Sequence, residues 1–210
     1  QLEAHRAELD EVVFRRCRYV LEENARVLAA CDHLLAGEQG SAWRERGGPI
    51  AWGVADAAAL RFGRDRGWWW SPDGTQILAV RSARSVSLHL LDLDYGWVDV
   101  HWDRETYPHV ANVSWGDGGG PLITVLRRMQ QHGLVLSVDP RTGETQVHAE
   151  LADARWVEPV PGTPRYLPDG RVLVGGELAH DGFDAHCLFA DGSLLTPPGL
   201  YVRRVVGVLP

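Results

Sequence analysis

One stretch constrains this chain more than any other: Gly67-Trp68-Trp69-Trp70-Ser71-Pro72-Asp73-Gly74-Thr75-Gln76-Ile77-Leu78-Ala79-Val80. It reads as strand, tight turn, strand. Three consecutive tryptophans give a wide, stiff apolar surface suited to a strand packed on both faces. Pro72 presets φ, Asp73 can bond its own backbone, and Gly74 takes a positive φ without steric cost. The apolar run then restarts at once, as a hairpin requires. Tyr166-Leu-Pro-Asp-Gly-Arg-Val-Leu-Val174 repeats the unit, and Leu188-Phe-Ala-Asp-Gly-Ser-Leu-Leu195 repeats its turn.

From Pro49 onward strand signals recur about every ten residues, which predicts an all-β domain over 49–210. The period is that of a β-propeller blade, four antiparallel strands. The first blade takes Trp68–Ser71, Gln76–Arg81, Val86–Asp94 and Trp97–Trp102. The second takes His109–Gly116, Pro121–Arg128, Leu134–Val138 and Thr145–Leu151. The third takes Val157–Tyr166, Arg171–Gly176, Asp184–Ala190 and Ser193–Leu195, and Tyr201–Val208 reads as the first strand of a fourth. About three blades form a partial propeller, because closed rings have ~4–8. Unpaired edges then favour self-association or a place in a longer protein.

Residues 1–48 form a separate N-terminal segment. Leu2, Leu9, Val13, Cys17, Val20, Leu28, Cys31 and Leu35 fall near helical spacing. The pattern predicts a helix over roughly 2–15, whereas 17–30 reads equally as helix or hairpin. Gly37 to Gly48 is a polar, glycine-rich connector.

The net charge of −7 argues against nucleic acid as a partner, and all 21 basic residues, every one Arg, are scattered among acids. No apolar run nears the ~20 residues of a membrane span, and no signal peptide is visible, so no membrane partner is expected. Three cysteines, Cys17, Cys31 and Cys187, make no disulfide framework. The expected setting is cytoplasmic.

Few residues advertise chemistry. Cys31-Asp-His33 and the His180, His186, Cys187 group lie at opposite ends of the chain, and His101, His109, His132 and His148 stand isolated on strands. No metal site or cofactor is expected. Ser, His and Asp are all present, but no Gly-x-Ser-x-Gly elbow marks a nucleophile. No catalytic residue is expected. Trp115-Gly-Asp-Gly-Gly-Gly-Pro121 precedes no helix, so it reads as a hairpin loop and not a phosphate cradle.

The ordered series Trp52-Gly-Val-Ala-Asp56, Trp69-Trp-Ser-Pro-Asp-Gly74, Val113-Ser-Trp115, Pro121-Leu-Ile-Thr-Val125 with Arg127-Arg128, Val138-Asp-Pro-Arg-Thr-Gly143, Trp156-Val-Glu158, Thr196-Pro-Pro-Gly199 and Val202-Arg-Arg-Val-Val-Gly207 resembles the N-terminal β-propeller of the dipeptidyl peptidase IV family. That family belongs to the prolyl oligopeptidase clan of serine peptidases, and the first of these motifs is placed much as in bacterial members. The resemblance covers about residues 50–208. It implies an eight-bladed propeller over an α/β-hydrolase domain with a Ser-Asp-His triad, admitting peptide substrates and helping to bind their N-termini. The hydrolase domain is missing from this sequence. A long excursion that the family carries before the strand at Val86 is reduced to Arg81-Ser-Ala-Arg-Ser85.

The resemblance also places a glutamate pair between Asp56 and Trp68. An ammonium group taken from water needs carboxylate partners in good geometry. Here Leu60 and Arg61 stand about where the pair belongs. Leu60 offers no acceptor, and Arg61 carries a permanent positive charge. Asp65 lies past Gly63. Arg61 and Glu158 are the candidate substrate-binding positions, Glu158 as the carboxylate of an alternative alignment. The function expected is that of a non-catalytic propeller portion of such a peptidase. The alternative is a propeller-type binding scaffold without peptidase activity.

Overall fold

A computed structural model describes Arg6 and residues 10–19, 50–55, 57–64, 66–83, 85–92 and 96–208. Within these, helix α1 covers residues 11–19. Asp10 starts it, its carboxylate accepting from the Val12 N–H at 2.9 Å while its carbonyl accepts from the Phe14 N–H at 2.8 Å. The helix lies inside the predicted N-terminal segment but begins and ends later than 2–15. The helix-or-hairpin question beyond Tyr19 and the Gly37–Gly48 connector fall outside the described residues.

The remainder is antiparallel sheet. The first blade holds β1 (Ala51–Trp52), β2 (Trp68–Trp70), β3 (Gln76–Ser82), β4 (Val86–Asp92) and β5 (Trp97–Asp99), with helix α2 (Ala57–Arg61) between β1 and β2. The second holds β6 (His109–Ser114), β7 (Leu122–Leu126), β8 (His132–Val138) and β9 (Thr145–Ala152). The third holds β10 (Arg165–Tyr166), β11 (Val172–His180), β12 (Phe183–Ala190) and β13 (Ser193–Leu194). Each sheet is ordered as the chain runs, so the molecule is a partial propeller of three blades.

Three details depart from the sequence reading. The inner strand of the first blade is split. Ala51 and Trp52 pair with Ser82 and Arg81, and Trp68 to Trp70 pair with Ala79 to Ile77, along the same edge of β3. The chain leaves this edge after Gly53 and returns at Gly67, whose N–H donates to the Gly53 carbonyl at 3.1 Å. Pairing in the third blade begins only at Arg165, because the chain before it turns at Val160–Thr163, with the Thr163 N–H and hydroxyl both donating to the Val160 carbonyl. Finally, Tyr201–Val208 is not a strand. Its isolated bonds, Val202 N–H to His186 carbonyl at 2.9 Å and Val205 N–H to Pro161 carbonyl at 2.8 Å, go to two different segments and build no ladder.

The Ser-Pro-Asp-Gly turn forms as its chemistry requires. The Ser71 hydroxyl donates to Asp73 Oδ1 at 2.7 Å, Thr75 donates to the same carboxylate, and Gly74 sits at φ 67°. The Asp73 carboxyl is held below its ordinary value, first by the Ser71 hydroxyl and then by the Thr75 N–H. Gly143 shows a second absolute requirement: a Cβ there would stand 1.9 Å from the Asp99 carbonyl, where the second blade's turn docks on the first.

Strand alternation builds two cores. Leu78, Val80, Leu88 and Leu90 face Val110, Ile123, Val125, Leu136 and Val138 between the first and second blades, with Trp69 and Tyr107. The opposite face of the second blade sends Leu122 and Leu126 to meet Val157, Val172 and Val174. The outer face of the first blade carries α1, where Tyr19 meets Trp70 edge-on at 4.9 Å. No helix among the described residues is long and apolar enough to cross a membrane.

Candidate functional site

Helix α2 carries Leu60 and Arg61 out of the split inner strand and rests against β6, the inner strand of the next blade. Its anchoring residues are Ala59, fully buried, and Arg64. The Arg64 guanidinium donates to the Arg66 carbonyl at 2.9 Å and the Val110 carbonyl at 3.4 Å, 5.6 Å from the Trp69 ring centre. Phe62 packs into the core between the second and third blades. These contacts turn Leu60 outward, 66% exposed, with Arg61 exposed beside it. Arg61 makes no ion pair among the described residues, so this projection presents an apolar side chain and a cation. Asp65 falls outside the described residues. The inner edges of β2, β6 and β10 line an open crevice of about 790 Å³ with Trp68, Trp70, Trp115, Tyr166, Arg66 and Arg165 on its walls.

Glu158 stands elsewhere, and no ion pair joins it to Arg61. It lines a cavity of about 230 Å³ between β9 and β11, walled by Leu151, Val157, Val172, Val174 and Phe189. Glu158 and Glu177 both face His186, with Nε2 3.7 Å from Glu158 Oε2 and 3.5 Å from Glu177 Oε1. Burial, the hydrogen bond and charge shared with Asp153, and the charge of Glu158 push the Glu177 carboxyl up to about 7. Asp153 is held low by the backbone N–H groups of Arg155 and Trp156, which donate to its Oδ1 at 2.6 and 2.9 Å. The His186 ring stacks on Tyr201 at 4.6 Å. The sequence reading named Glu158 and missed Asp153, Glu177 and His186 as its neighbours. The available signal was Glu177 itself, an acid on the apolar run Val172–Leu178, opposite a histidine once β11 and β12 are paired.

A third constellation was also missed. Ser87 and His89 point to one face of β4, and Asp99 is His89's cross-strand partner. Ser87 Oγ lies 2.8 Å from His89 Nε2, and Asp99 Oδ1 lies 2.7 Å from His89 Nδ1, off the direction a ring N–H would take, so this second contact is chiefly electrostatic. Burial lowers the His89 pKa, while Asp99 pulls it back up. The ring is stacked on Trp97 at 5.3 Å and tilted against Trp52 at 5.0 Å. The residue types and order of contacts match a Ser-His-Asp relay. The surroundings do not match a nucleophile: Ser87 is 5% exposed, is paired in the sheet opposite Arg81, and its Oγ also lies 3.4 Å from the Arg81 carbonyl. Among the described residues no group of three His, Cys, Asp or Glu side chains is arranged to hold a metal ion.

Two solved structures share this fold. One is the crystal structure of Porphyromonas gingivalis dipeptidyl peptidase 4, at TM-score 0.59 and 16% identity, covering 73% of this chain and 27% of that one. The other is a putative dipeptidyl aminopeptidase IV from Bacteroides ovatus, at TM-score 0.54 and 19% identity, covering 71% of this chain and 26% of that one. The likeness is one of fold, and this chain spans about a quarter of the length of each. No protein-family model and no curated protein matches the sequence.

Proposed function

We propose that this chain is the non-catalytic β-propeller portion of a dipeptidyl-peptidase-IV-like serine peptidase, lacking a catalytic triad of its own and serving peptide access and binding. The observation that supports this reading is the split inner strand. The chain leaves β1, projects α2 across the inner strand of the neighbouring blade, and returns to the same edge of β3 as β2. Such a projection costs strand pairing, and its use is to set two side chains, Leu60 and Arg61, on the side of the blades where a peptide would pass. The ordered motifs and the fold shared with the two peptidases support the same reading. The expected setting is cytoplasmic, in line with a buried free Cys187.

A binding scaffold without peptidase activity is the second reading. It is favoured by the chemistry at that projection: a leucine and an arginine cannot neutralise an ammonium group, and Arg61 repels one. One set of assays separates the two. The purified chain is expected not to hydrolyse dipeptidyl chromogenic substrates, and turnover lost in Ser87→Ala would overturn the absence of a triad. In a longer reading frame that includes a hydrolase domain, free and N-acetylated peptides are expected to be cut equally poorly. A preference for the free amine appearing with Leu60→Glu plus Arg61→Glu supports the peptidase reading. A strong preference in the unmodified protein shows that another carboxylate does the work. No cleavage with either pair of residues leaves the scaffold.

A further inference from the structure

The glycine-rich loop 115–121 does more than join two strands. It shapes one wall of the crevice on the inner edges of β2, β6 and β10. A Cβ on Gly118 would stand 2.9 Å from the Tyr166 Cβ, and one on Gly119 would stand 2.7 Å from the Tyr166 Cζ. Glycine lets the loop lie this close over the phenol ring. Two further contacts fix the facing strand. Ser114 Oγ donates to the Pro164 carbonyl at 2.5 Å, and Asn112 Nδ2 donates to the Thr163 carbonyl at 2.9 Å. They set the start of β10, with Arg165 and Tyr166, against the inner strand of the second blade.

Two guanidinium groups line the same crevice. Arg66 lies over the Trp68 ring, 5.6 Å from its centre. Arg165 donates from Nε to the Gly162 carbonyl at 2.8 Å, which orients its two terminal nitrogens. Among the described residues neither forms an ion pair. The lining carries one carboxylate, Asp117, and it pairs with neither arginine. Burial raises the pKa of the Tyr166 phenol, so that ring adds no second anion. The rest of the wall is largely aromatic: Trp68 is 42% exposed, and Trp115 and Tyr166 are half-buried.

A guanidinium has donors and no acceptor, and a carboxylate matches its planar fork. Aromatic faces take another ring offset or edge-on. We propose that this crevice binds a carboxylate carried beside a planar aromatic ring, the anion held by the Arg66 and Arg165 guanidinium groups and the ring among Trp68, Trp115 and Tyr166. A neutral ring would leave both guanidinium groups unanswered, and a phosphate polymer would meet too few cations to be neutralised. The space, about 790 Å³, is of a size that takes a small organic ligand. A free aryl acid and the C-terminal aromatic residue of a peptide share this chemistry. The site uses neither Leu60 nor Arg61 and does not depend on the peptidase reading.

The test is calorimetric titration of the whole chain at pH 8 with sodium phenylacetate, against phenylacetamide and sodium cyclohexylacetate at matched ionic strength. Phenylacetate is expected to bind, and the uncharged ring and the non-planar acid are each expected to bind about tenfold more weakly or not at all. Arg66 is exposed and holds no hydrogen bond through its side chain, so Arg66→Gln keeps the fold. It is expected to weaken phenylacetate about fivefold or more and to leave phenylacetamide unchanged, a split that general loosening of the crevice would not produce. Arg165→Gln is expected to act the same way, and if loss of the Gly162 contact unfolds it, Arg66→Gln decides alone. Trp68→Leu is expected to weaken both ligands. N-acetyl-glycyl-phenylalanine and its C-terminal amide separate the two sources. Binding of the peptide acid alone assigns a peptide terminus, and binding of neither peptide beside tight phenylacetate assigns a free aryl acid. Phenylacetate binding no tighter than phenylacetamide, or unchanged affinity in Arg66→Gln, overturns the proposal.

Discussion

The two interfaces between blades follow one rule and bury different things. Between the first and second blades, alternating residues of β3 and β4 supply Leu78, Val80, Leu88 and Leu90, all essentially inaccessible, and the buried Arg64 guanidinium sits at the margin, over Trp69 and on the Val110 carbonyl. Between the second and third blades, β11 supplies Val172 and Val174 on the same alternation, and then Gly176. Glycine there adds no side chain beyond the two valines. The space it leaves is the cavity, and Glu177 follows at its rim. The same packing logic therefore gives a closed core in one place and an open space in the other, with a residue that has no side chain on the wall of that space.

The sharpest way to break this comparison is to truncate one residue on each side of it. Leu78→Ala removes a fully buried side chain from a packed core and is expected to cost about 3–5 kcal/mol. Val174→Ala removes less volume beside space that already exists, and is expected to cost about 1–2 kcal/mol. Urea denaturation followed by tryptophan fluorescence measures both. Equal losses would show that the second interface is as tightly packed as the first.

Much of this architecture is legible in the sequence for a physical reason. Turn chemistry is local, so Ser71-Pro-Asp-Gly74 and Asp191-Gly192 mark hairpins without knowledge of the fold. Apolar alternation then fixes which residues face a neighbouring blade. What could not be read depends on pairing across distance. Ala51–Trp52 is too short to show periodicity and is a strand only because Arg81 and Ser82 offer it an edge. Tyr201–Val208 has strand-like composition but meets two separate carbonyl partners instead of one strand. Asp153, Glu158, Glu177 and His186 carry no spacing signal, since three different segments bring them together. Ser87, His89 and Asp99 share a face only through the β4–β5 register.

A smaller effect separates the interfaces by pH. The Glu177 carboxyl rises from an ordinary 4.5 to about 7 in the folded protein, first through burial and then through Asp153. Between those values the folded state holds a proton that the unfolded state has released. Stability from this group is therefore present at low pH and lost as the pH rises toward 7. Solvent at the cavity mouth reduces the effect to about 1–2 kcal/mol. Urea midpoints between pH 5 and 8 are expected to fall with rising pH for the parent protein and to flatten in Glu177→Gln. A slope unchanged by that substitution would place the buried proton elsewhere.

The smallest effect comes from the first blade, on the face opposite its closed core. His89 is lowered from 6.5 chiefly by burial, with Arg81 and Arg104 acting the same way and Asp99 opposing them. Here the sign reverses. The unfolded imidazole takes up a proton near its ordinary pKa while the folded one resists, so stability rises with pH through that window and is complete above about 6.5. Because Asp99 offsets part of the burial, the rise is smaller than the fall produced by Glu177, and in the parent protein the larger effect conceals it. In Glu177→Gln the fall is gone, and a shallow rise below pH 6.5 is expected to emerge. Adding His89→Gln should remove that rise while keeping an amide within reach of Ser87 Oγ. A rise that survives the double substitution would mean that some other histidine titrates with folding. A rise that never appears in Glu177→Gln would mean that Asp99, 2.7 Å from Nδ1, fully compensates the burial of the ring.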